Sequence, residues 1–285
     1  MPSDDSTQRL IDSVTFQAAE PRALPYDALH RALAEHSIVR IRGLFDRAEI
    51  LAAKQALSAR FDAAQDRRHD PRDTEAIRNN FQKLQIGANS GLSTRRTLGR
   101  FLRILYNPIF AEDVLGLRAH FIRLAELRNR LYGLRPDYAV STTEDGFWTC
   151  ARVHQYPRGG GFMVPHRDMY SRAATVNAEL GYYQPFLLLS EKGTDYQEGG
   201  AYIDLGEERV HYEGACLAGD VIVYDGRTVH GVADIDPLEP LDLAQFTGRM
   251  AAFVSLFKHL APGEEGYAEL TQSAQRSFGP DETER

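Results

Sequence analysis

The chain has 285 residues, of which 43% are hydrophobic and 26% charged, with a formal net charge of -7. That length allows one large core with an added helical layer or two smaller domains, and the composition is that of a soluble globular protein. The acid excess argues against general binding to nucleic acid or anionic membranes, and no apolar run approaches the roughly 20 residues that cross a bilayer. The start, MPSDDSTQRL, lacks the basic end and apolar core of a secretion signal, so a cytoplasmic location is expected. Cys150 and Cys216 are the only cysteines. Two free thiols are expected, since the pair makes no zinc-type cluster.

Residues 1 to 24 carry no strong pattern and read as a partly ordered arm with a short edge strand at Ser13 to Gln17. Tyr26 to Glu35 predicts a short helix that packs Leu29 and Leu33. Ser37 to Arg42 alternates apolar and polar residues, a strand signature that Gly43 ends. The next helix opens with a capping box, Asp46 with Glu49, and a staple of Phe45 on Ile50. Ile50, Ala53, Leu57 and Phe61 form its apolar stripe.

From Asp62 to about Thr94 the chain is polar, with arginines at 67, 68, 72 and 78. Two readings stand: a solvated loop, or a lid that closes over a pocket. Arg95 to Leu134 is expected to be helical, with Phe110, Val114, Leu117, Phe121, Leu124 and Leu131 on one buried face. Arg128 falls on that stripe and Arg130 beside it, which suggests packing at the core edge against a carboxylate for both.

After Gly133 the pattern turns to short β segments. Trp148 to Tyr156, Met163 to Met169, Pro185 to Ser190, Ala201 to Leu205, Arg209 to Tyr212, Val221 to Asp225, Thr228 to Ala233 and Arg249 to Phe257 are eight expected strands. Glycine-containing turns separate them, which predicts an all-β sandwich or barrel, here a double-sheet jelly roll. The tail from Pro262 is polar and charged and has no core-forming period.

Chemistry is concentrated in Ala151 to Tyr170. His166 and Asp168 stand one residue apart after Pro165, and in an extended strand their side chains share a face. A helix would turn them roughly 200° apart, too far for one small ion. His-X-Asp alone is common by chance. A third ligand is supplied by His230, which follows an apolar strand and the turn at Asp225-Gly226. Two histidines and one carboxylate form the facial triad that holds iron(II) and leaves other positions open, whereas structural zinc takes a fourth protein ligand. Upstream, Arg152, His154 and Tyr156 share one strand face and Val153 and Gln155 the other. If the first set faces the cavity, it is placed to bind co-substrate or substrate.

The phrases Gly159-Gly160-Gly161 before His-X-Asp, Gly199-Gly200-Ala-Tyr-Ile-Asp, Ala218-Gly-Asp-Val-Ile-Val-Tyr-Asp and Thr228-Val-His-Gly-Val together resemble the iron(II)/2-oxoglutarate dioxygenase superfamily. Ile38-Val-Arg-Ile-Arg-Gly-Leu-Phe-Asp-Arg-Ala-Glu-Ile50 also looks like the opening of phytanoyl-CoA-dioxygenase-like members. That group's Gly-Ser-His phrase is lacking, so the resemblance is to the superfamily, in its phytanoyl-CoA-dioxygenase-like or prolyl-hydroxylase-like branch.

The resemblance implies a mainly β fold with a helical N-terminal layer, a double-stranded β-helix flanked by α-helices. Residues 1–285 would form a single dioxygenase domain: 25–135 mostly helical support with a lid loop, 148–258 the jelly-roll catalytic core, and 262–285 a polar tail. It implies Fe(II) on His166, Asp168 and His230, with 2-oxoglutarate as co-substrate. Arg249 would meet the distal carboxylate, with Arg227 as the fallback and Tyr156 adding a hydroxyl contact. Arg152 and His154 are placed at the substrate. The implied reaction converts 2-oxoglutarate and O2 to succinate and CO2 while a small molecule, an amino acid or secondary metabolite, is hydroxylated, desaturated or cyclised. The Asp168 carboxylate leaves no vacancy for chloride, so halogenation is not expected. A cupin-like metal enzyme that does not use 2-oxoglutarate and a peptidyl hydroxylase stay open as alternatives. Neither nucleic acid nor a membrane is an expected partner.

Overall fold

The computed structural model of the chain describes residues 4–66, 82–85, 99–110, 112–140, 144–168 and 182–258. Its centre is a pair of ten-residue strands, β6 (Phe147–Tyr156) and β13 (Arg249–Lys258). They run antiparallel in unbroken register from Arg249 opposite Tyr156 to Lys258 opposite Phe147. Side chains alternate across such a ribbon. Ala151, Val153, Ala252 and Val254 therefore join one core cluster with Phe121, Leu124 and Leu127 of a helix. Cys150, Tyr156 and Ala251 face the other way, into a second cluster between two sheets. Each fully buried Leu, Ile, Val or Phe in these layers contributes about 1.5–3 kcal/mol.

The larger sheet has eight strands. In spatial order they are β1 (Thr15–Gln17), β2 (Ile38–Arg42), β11 (Val221–Asp225), β8 (Tyr183–Leu188), β13, β6, β5 (Leu102–Tyr106) and β3 (Gln82–Gln85). The smaller sheet has five: β10 (Glu208–His211), β9 (Gly200–Leu205), β12 (His230–Ile235), β7 (Gly161–His166) and β4 (Gly99–Arg100). Only β1 with β2 is parallel among the described strand pairs. Helices α1 (Asp4–Ser13), α2 (Tyr26–His36), α3 (Arg47–Arg60) and α4 (Arg118–Leu131) make up the helical layer. The jelly roll and its N-terminal helices are thus as the sequence suggests, and each of the eight expected strands lies within three residues of its predicted ends. At the start of α3, Asp46 Oδ1 accepts the Glu49 N–H at 3.0 Å, while Phe45 and Ile50 are buried. Cys150 and Cys216 are free and buried.

Two expectations need correction. Residues 4–13 form a helix rather than a loose arm, held by the i,i+4 pairs Arg9–Asp5 and Gln8–Asp12 and by burial of Ile11. Arg95 to Leu134 is not one helix. Leu102–Tyr106 is a strand with every residue buried, because Leu105 packs into one core cluster and Leu102, Ile104 and Tyr106 into the other, so both faces are covered. A short apolar run buried on both faces has no alternation to betray it and reads equally well as helix. Phe110 and Val114 are each 40% exposed instead of lying on the buried face. Helix α4 starts only where the Asp113 carboxylate accepts the N–H groups of Gly116, Leu117 and Arg118. The lid region 62–94 lies mostly outside the described residues, as does the tail from 262.

The two arginines of α4 divide. Arg130 pairs with Glu126 at 2.8 Å. Arg128 meets no carboxylate among the described residues; its buried guanidinium donates to Asn129 Oδ1, Thr149 Oγ1 and the Val254 carbonyl, tying α4 to both central strands.

Candidate metal centre

Strands β7 and β12 are antiparallel neighbours, and their register sets His166 opposite His230. The two imidazole centroids are 4.4 Å apart. Each ring is aimed by its own backbone. The Nδ1 of His166 bonds the Val164 carbonyl at 2.9 Å, and that of His230 bonds the Thr228 carbonyl at 2.9 Å. A carbonyl only accepts, so both Nδ1 atoms carry the proton and both Nε2 lone pairs are left for a cation.

Asp168 is brought in by a turn from the other sheet. Its N–H donates to the Gly226 carbonyl at 2.8 Å, and the Gly226 N–H donates to the Tyr182 carbonyl at 2.8 Å. A Cβ on Gly226 would stand 2.8 Å from the Asp168 Cβ, so any side chain there would force a neighbour to shift. Residues 226–229 join β11 in the large sheet to β12 in the small one, which places the carboxylate and His230 at the same end of the sandwich.

Asp168 Oδ1 lies 3.4 Å from His166 Nε2, and Oδ2 lies 3.4 Å from His230 Nε2. The Tyr224 hydroxyl donates to Oδ2 at 2.9 Å. Burial pushes the Asp168 carboxyl up, but the two imidazoles outweigh it and hold the group below the usual carboxylate range. One ligand atom from each of the three residues falls within 4.8 Å of the others, and no further histidine, cysteine or acid joins the group among the described residues. The His230 Nε2 is buried and makes no hydrogen bond, despite its approach to Asp168. An orphaned imidazole nitrogen beside a carboxylate and a second imidazole fits a divalent cation with open positions.

The triad opens on a cavity between the sheets. Arg152, His154 and Tyr156 of β6 line it, together with Arg249 and Phe253 of β13, so the structure brings every expected site residue to one space. Arg227 does not line it; this side chain is 58% exposed and pairs with Asp225 in the turn. Arg249 is buried, with its guanidinium carbon 5.3 Å from the Tyr156 ring centre and 5.7 Å from that of Phe186. Its carboxylate partner is Glu213. Glu213 Oε1 accepts from Arg249 Nε at 2.9 Å and from Nη2 at 2.7 Å, and Oε2 accepts from the Tyr196 hydroxyl and the Ala201 N–H. The Tyr156 hydroxyl contacts Met163 Sδ at 3.8 Å.

Sequence reasoning missed Glu213 and Tyr224. Alternation along Val221–Asp225 puts Tyr224 on one face with Ile222, a usable signal. Glu213 sits in a single 3-10 turn, Glu213–Ala215, where no periodicity marks its direction.

Neither a family model nor a curated protein matches the chain. Solved structures share its architecture. JOX2 in complex with 2OG, Fe and JA superposes with a TM-score of 0.50 at 10% identity, covering 86% of this chain and 74% of that one. A 2OG-Fe(II) oxygenase family oxidoreductase from Burkholderia pseudomallei gives 0.49 at 13%, covering 86% and 95%. A prolyl-4-hydroxylase from Pseudomonas putida gives 0.46 at 18%, covering 83% and 100%. At such identities the likeness is one of fold. The chain has the double-stranded β-helix fold found in 2-oxoglutarate-Fe(II) oxygenases, with a His166-X-Asp168…His230 triad at the end of its cavity.

Proposed function

We propose that the protein is a non-haem iron(II)- and 2-oxoglutarate-dependent oxygenase that oxidises a C–H bond of a small organic substrate. The observation that carries this reading is the triad itself: three converging donors, one of them an orphaned buried nitrogen, with a cavity on the side they leave open. His166, Asp168 and His230 would hold the iron. Two neutral imidazoles and one carboxylate leave a divalent ion with net positive charge, which suits an anionic co-substrate. Bound iron(II) would supply activation of O2 coupled to decarboxylation of 2-oxoglutarate to succinate and CO2.

The protein's part is to bind, orient and exclude water. Arg249 and Tyr156 lie toward the turn that joins β6 to β7, while His166 lies at the far end of β7, so an elongated dianion has a cation at each end. Glu213 engages Nε and Nη2 of Arg249, which leaves Nη1 for the distal carboxylate. Burial pushes the Tyr156 hydroxyl up to about 12, so it stays protonated and donates. Phe186, Phe253 and Val232 supply apolar wall. A small molecule is favoured over a peptide because the triad faces a space between two sheets.

Anaerobic addition of iron(II) and then 2-oxoglutarate tests the reading. A weak visible charge-transfer band is expected in the wild type and not in His166→Ala, with succinate release on admitting air. The Glu213–Arg249 pair favours one second reading, a cupin-like enzyme whose arginine is already satisfied and which does not use 2-oxoglutarate. That enzyme would bind iron(II) and show no band.

A further inference from the structure

The cavity carries two arginines, and their charges are balanced differently. Arg249 has Glu213 against it at 2.7 Å. Arg152 is half-buried on the β6 wall and has no carboxylate in contact with it among the described residues. Its Nε donates to His154 Nε2 at 3.0 Å, its Nη1 to the Cys150 carbonyl at 3.1 Å, and its Nη2 to Ser255 Oγ at 3.1 Å. A guanidinium has five N–H donors, so one remains on each of Nη1 and Nη2. Two such donors match the two oxygens of a planar carboxylate.

No other lining residue among the described ones answers this charge. Asp168 is the one carboxylate lining the cavity among the described residues, and both its oxygens face imidazoles. His154 accepts from Arg152 at Nε2, which puts its own proton on Nδ1 as a further donor. Burial, Arg152 and Arg249 hold that imidazole well below its usual range, so it is neutral. A half-buried cation packed 5.4 Å from the Phe253 ring gains from an anion that meets it in the cavity.

Position separates the two arginines. Tyr156 pairs with Arg249, whereas Arg152, four residues back along β6, pairs with Phe253. At about 3.3 Å per residue the two levels are roughly 13 Å apart along the strand. A dianion that reaches from Arg249 to the metal therefore leaves Arg152 to a different ligand. We propose that Arg152, with His154 beside it, recognises a carboxylate on the substrate to be oxidised, so that the enzyme acts on organic acids. The inference rests on the oxygenase reading above and assigns the substrate class for that same site.

The test uses matched acids and carboxamides: phenylacetate with phenylacetamide, and hexanoate with hexanamide. Each is titrated into the anaerobic iron(II)–2-oxoglutarate complex, with the shift of the visible band read as binding, and then assayed for succinate release in air. An acid is expected to act at concentrations at least tenfold below its amide. Arg152→Met is expected to erase that preference while the chelate band persists, and Arg152→Lys to retain part of it. Equal response to acid and amide, no response to either, a preference that survives in Arg152→Met, or a loss of 2-oxoglutarate binding in its place overturns the proposal. The wild-type comparison holds even if a variant fails to fold. A band that never forms before any acid is added counts against the oxygenase reading instead. Isothermal titration of the same four probes into the metal-free protein then decides the carboxylate preference separately.

Discussion

Glu213 stands behind Arg249 and takes two of its nitrogens, at 2.9 and 2.7 Å, with both side chains only 2% exposed. The buried pair is close to neutral as a unit, so an arriving carboxylate meets an arginine whose charge is already partly spent. Removing one partner of a buried ion pair costs about 3–5 kcal/mol, because the other is left uncompensated. Glu213→Gln keeps the shape and part of the hydrogen bonding, so its cost should fall at or below that range. The bare Arg249 should then gain more from 2-oxoglutarate. Thermal melts with and without the co-substrate check this: the variant should melt lower alone yet rise further on addition than the wild type. An equal or smaller rise would mean that Arg249 does not meet the co-substrate.

The same pair sets a pH dependence. Burial raises the Glu213 carboxyl, but Arg249 and the Tyr196 and Ala201 donors more than offset that, leaving it below its ordinary 4.5. A group whose folded pKa is depressed adds stability that is fully present above its unfolded pKa and is lost as pH falls toward the folded value. Below about pH 4.5 the wild type should therefore lose stability faster than Glu213→Gln, and the gap between them should narrow. Urea unfolding of both proteins at neutral pH and at a series of acid pH values measures it. A gap that stays constant down the series would assign the acid sensitivity to other carboxylates.

How far these features were legible in the sequence depends on periodicity. The β6, β11 and β13 strands alternate or run apolar between clear turns, so their extents could be read directly; alternation marks Arg152, His154 and Tyr156 as one face, but which face turns inward comes only from the packing of the two sheets. The His166–Asp168 spacing fixes a shared face only because the segment is extended, which Pro165 and the glycine turn announce. Leu102–Tyr106 was opaque because a strand covered on both faces carries no alternation. Glu213 was opaque for another reason: its role comes from a contact 36 residues away in sequence, made from a turn with no repeat of its own.

Tyr224 gives a sharper test of the metal site than its ligands do. Its hydroxyl donates to Asp168 Oδ2 at 2.9 Å and helps to aim the carboxylate. Outer partners of metal ligands typically matter by 10–100-fold in affinity, about 1.4 to 2.8 kcal/mol at tenfold per 1.4 kcal/mol. Tyr224→Phe should weaken iron(II) binding by about tenfold, the low end, since His166 and His230 still flank Asp168. Folding stability should fall by about 0.5–1.5 kcal/mol, the net value of one hydrogen bond. Anaerobic iron titration alongside urea unfolding separates the two effects, and unchanged affinity would show that Asp168 needs no help from Tyr224.

Gly226 tests whether the turn between the sheets sets the site. An alanine there would put a methyl group 2.8 Å from the Asp168 Cβ and 3.0 Å from the Tyr182 carbonyl oxygen, so something must give way. Asp168 is the more movable neighbour, because its contact is made by a side-chain atom, whereas the Tyr182 contact is a backbone carbonyl that leads directly into β8. Overpacking of this kind costs typically 1–3 kcal/mol, less than would unfold a domain of ordinary stability. Gly226→Ala should therefore remain folded, with a far-ultraviolet spectrum like that of the wild type. It should nonetheless lose iron(II) affinity by about 10–100-fold, the range seen when metal ligands lose their support. If the variant binds iron as tightly as the wild type, Asp168 is placed by the end of β7 that precedes it and not by the 226–229 crossing.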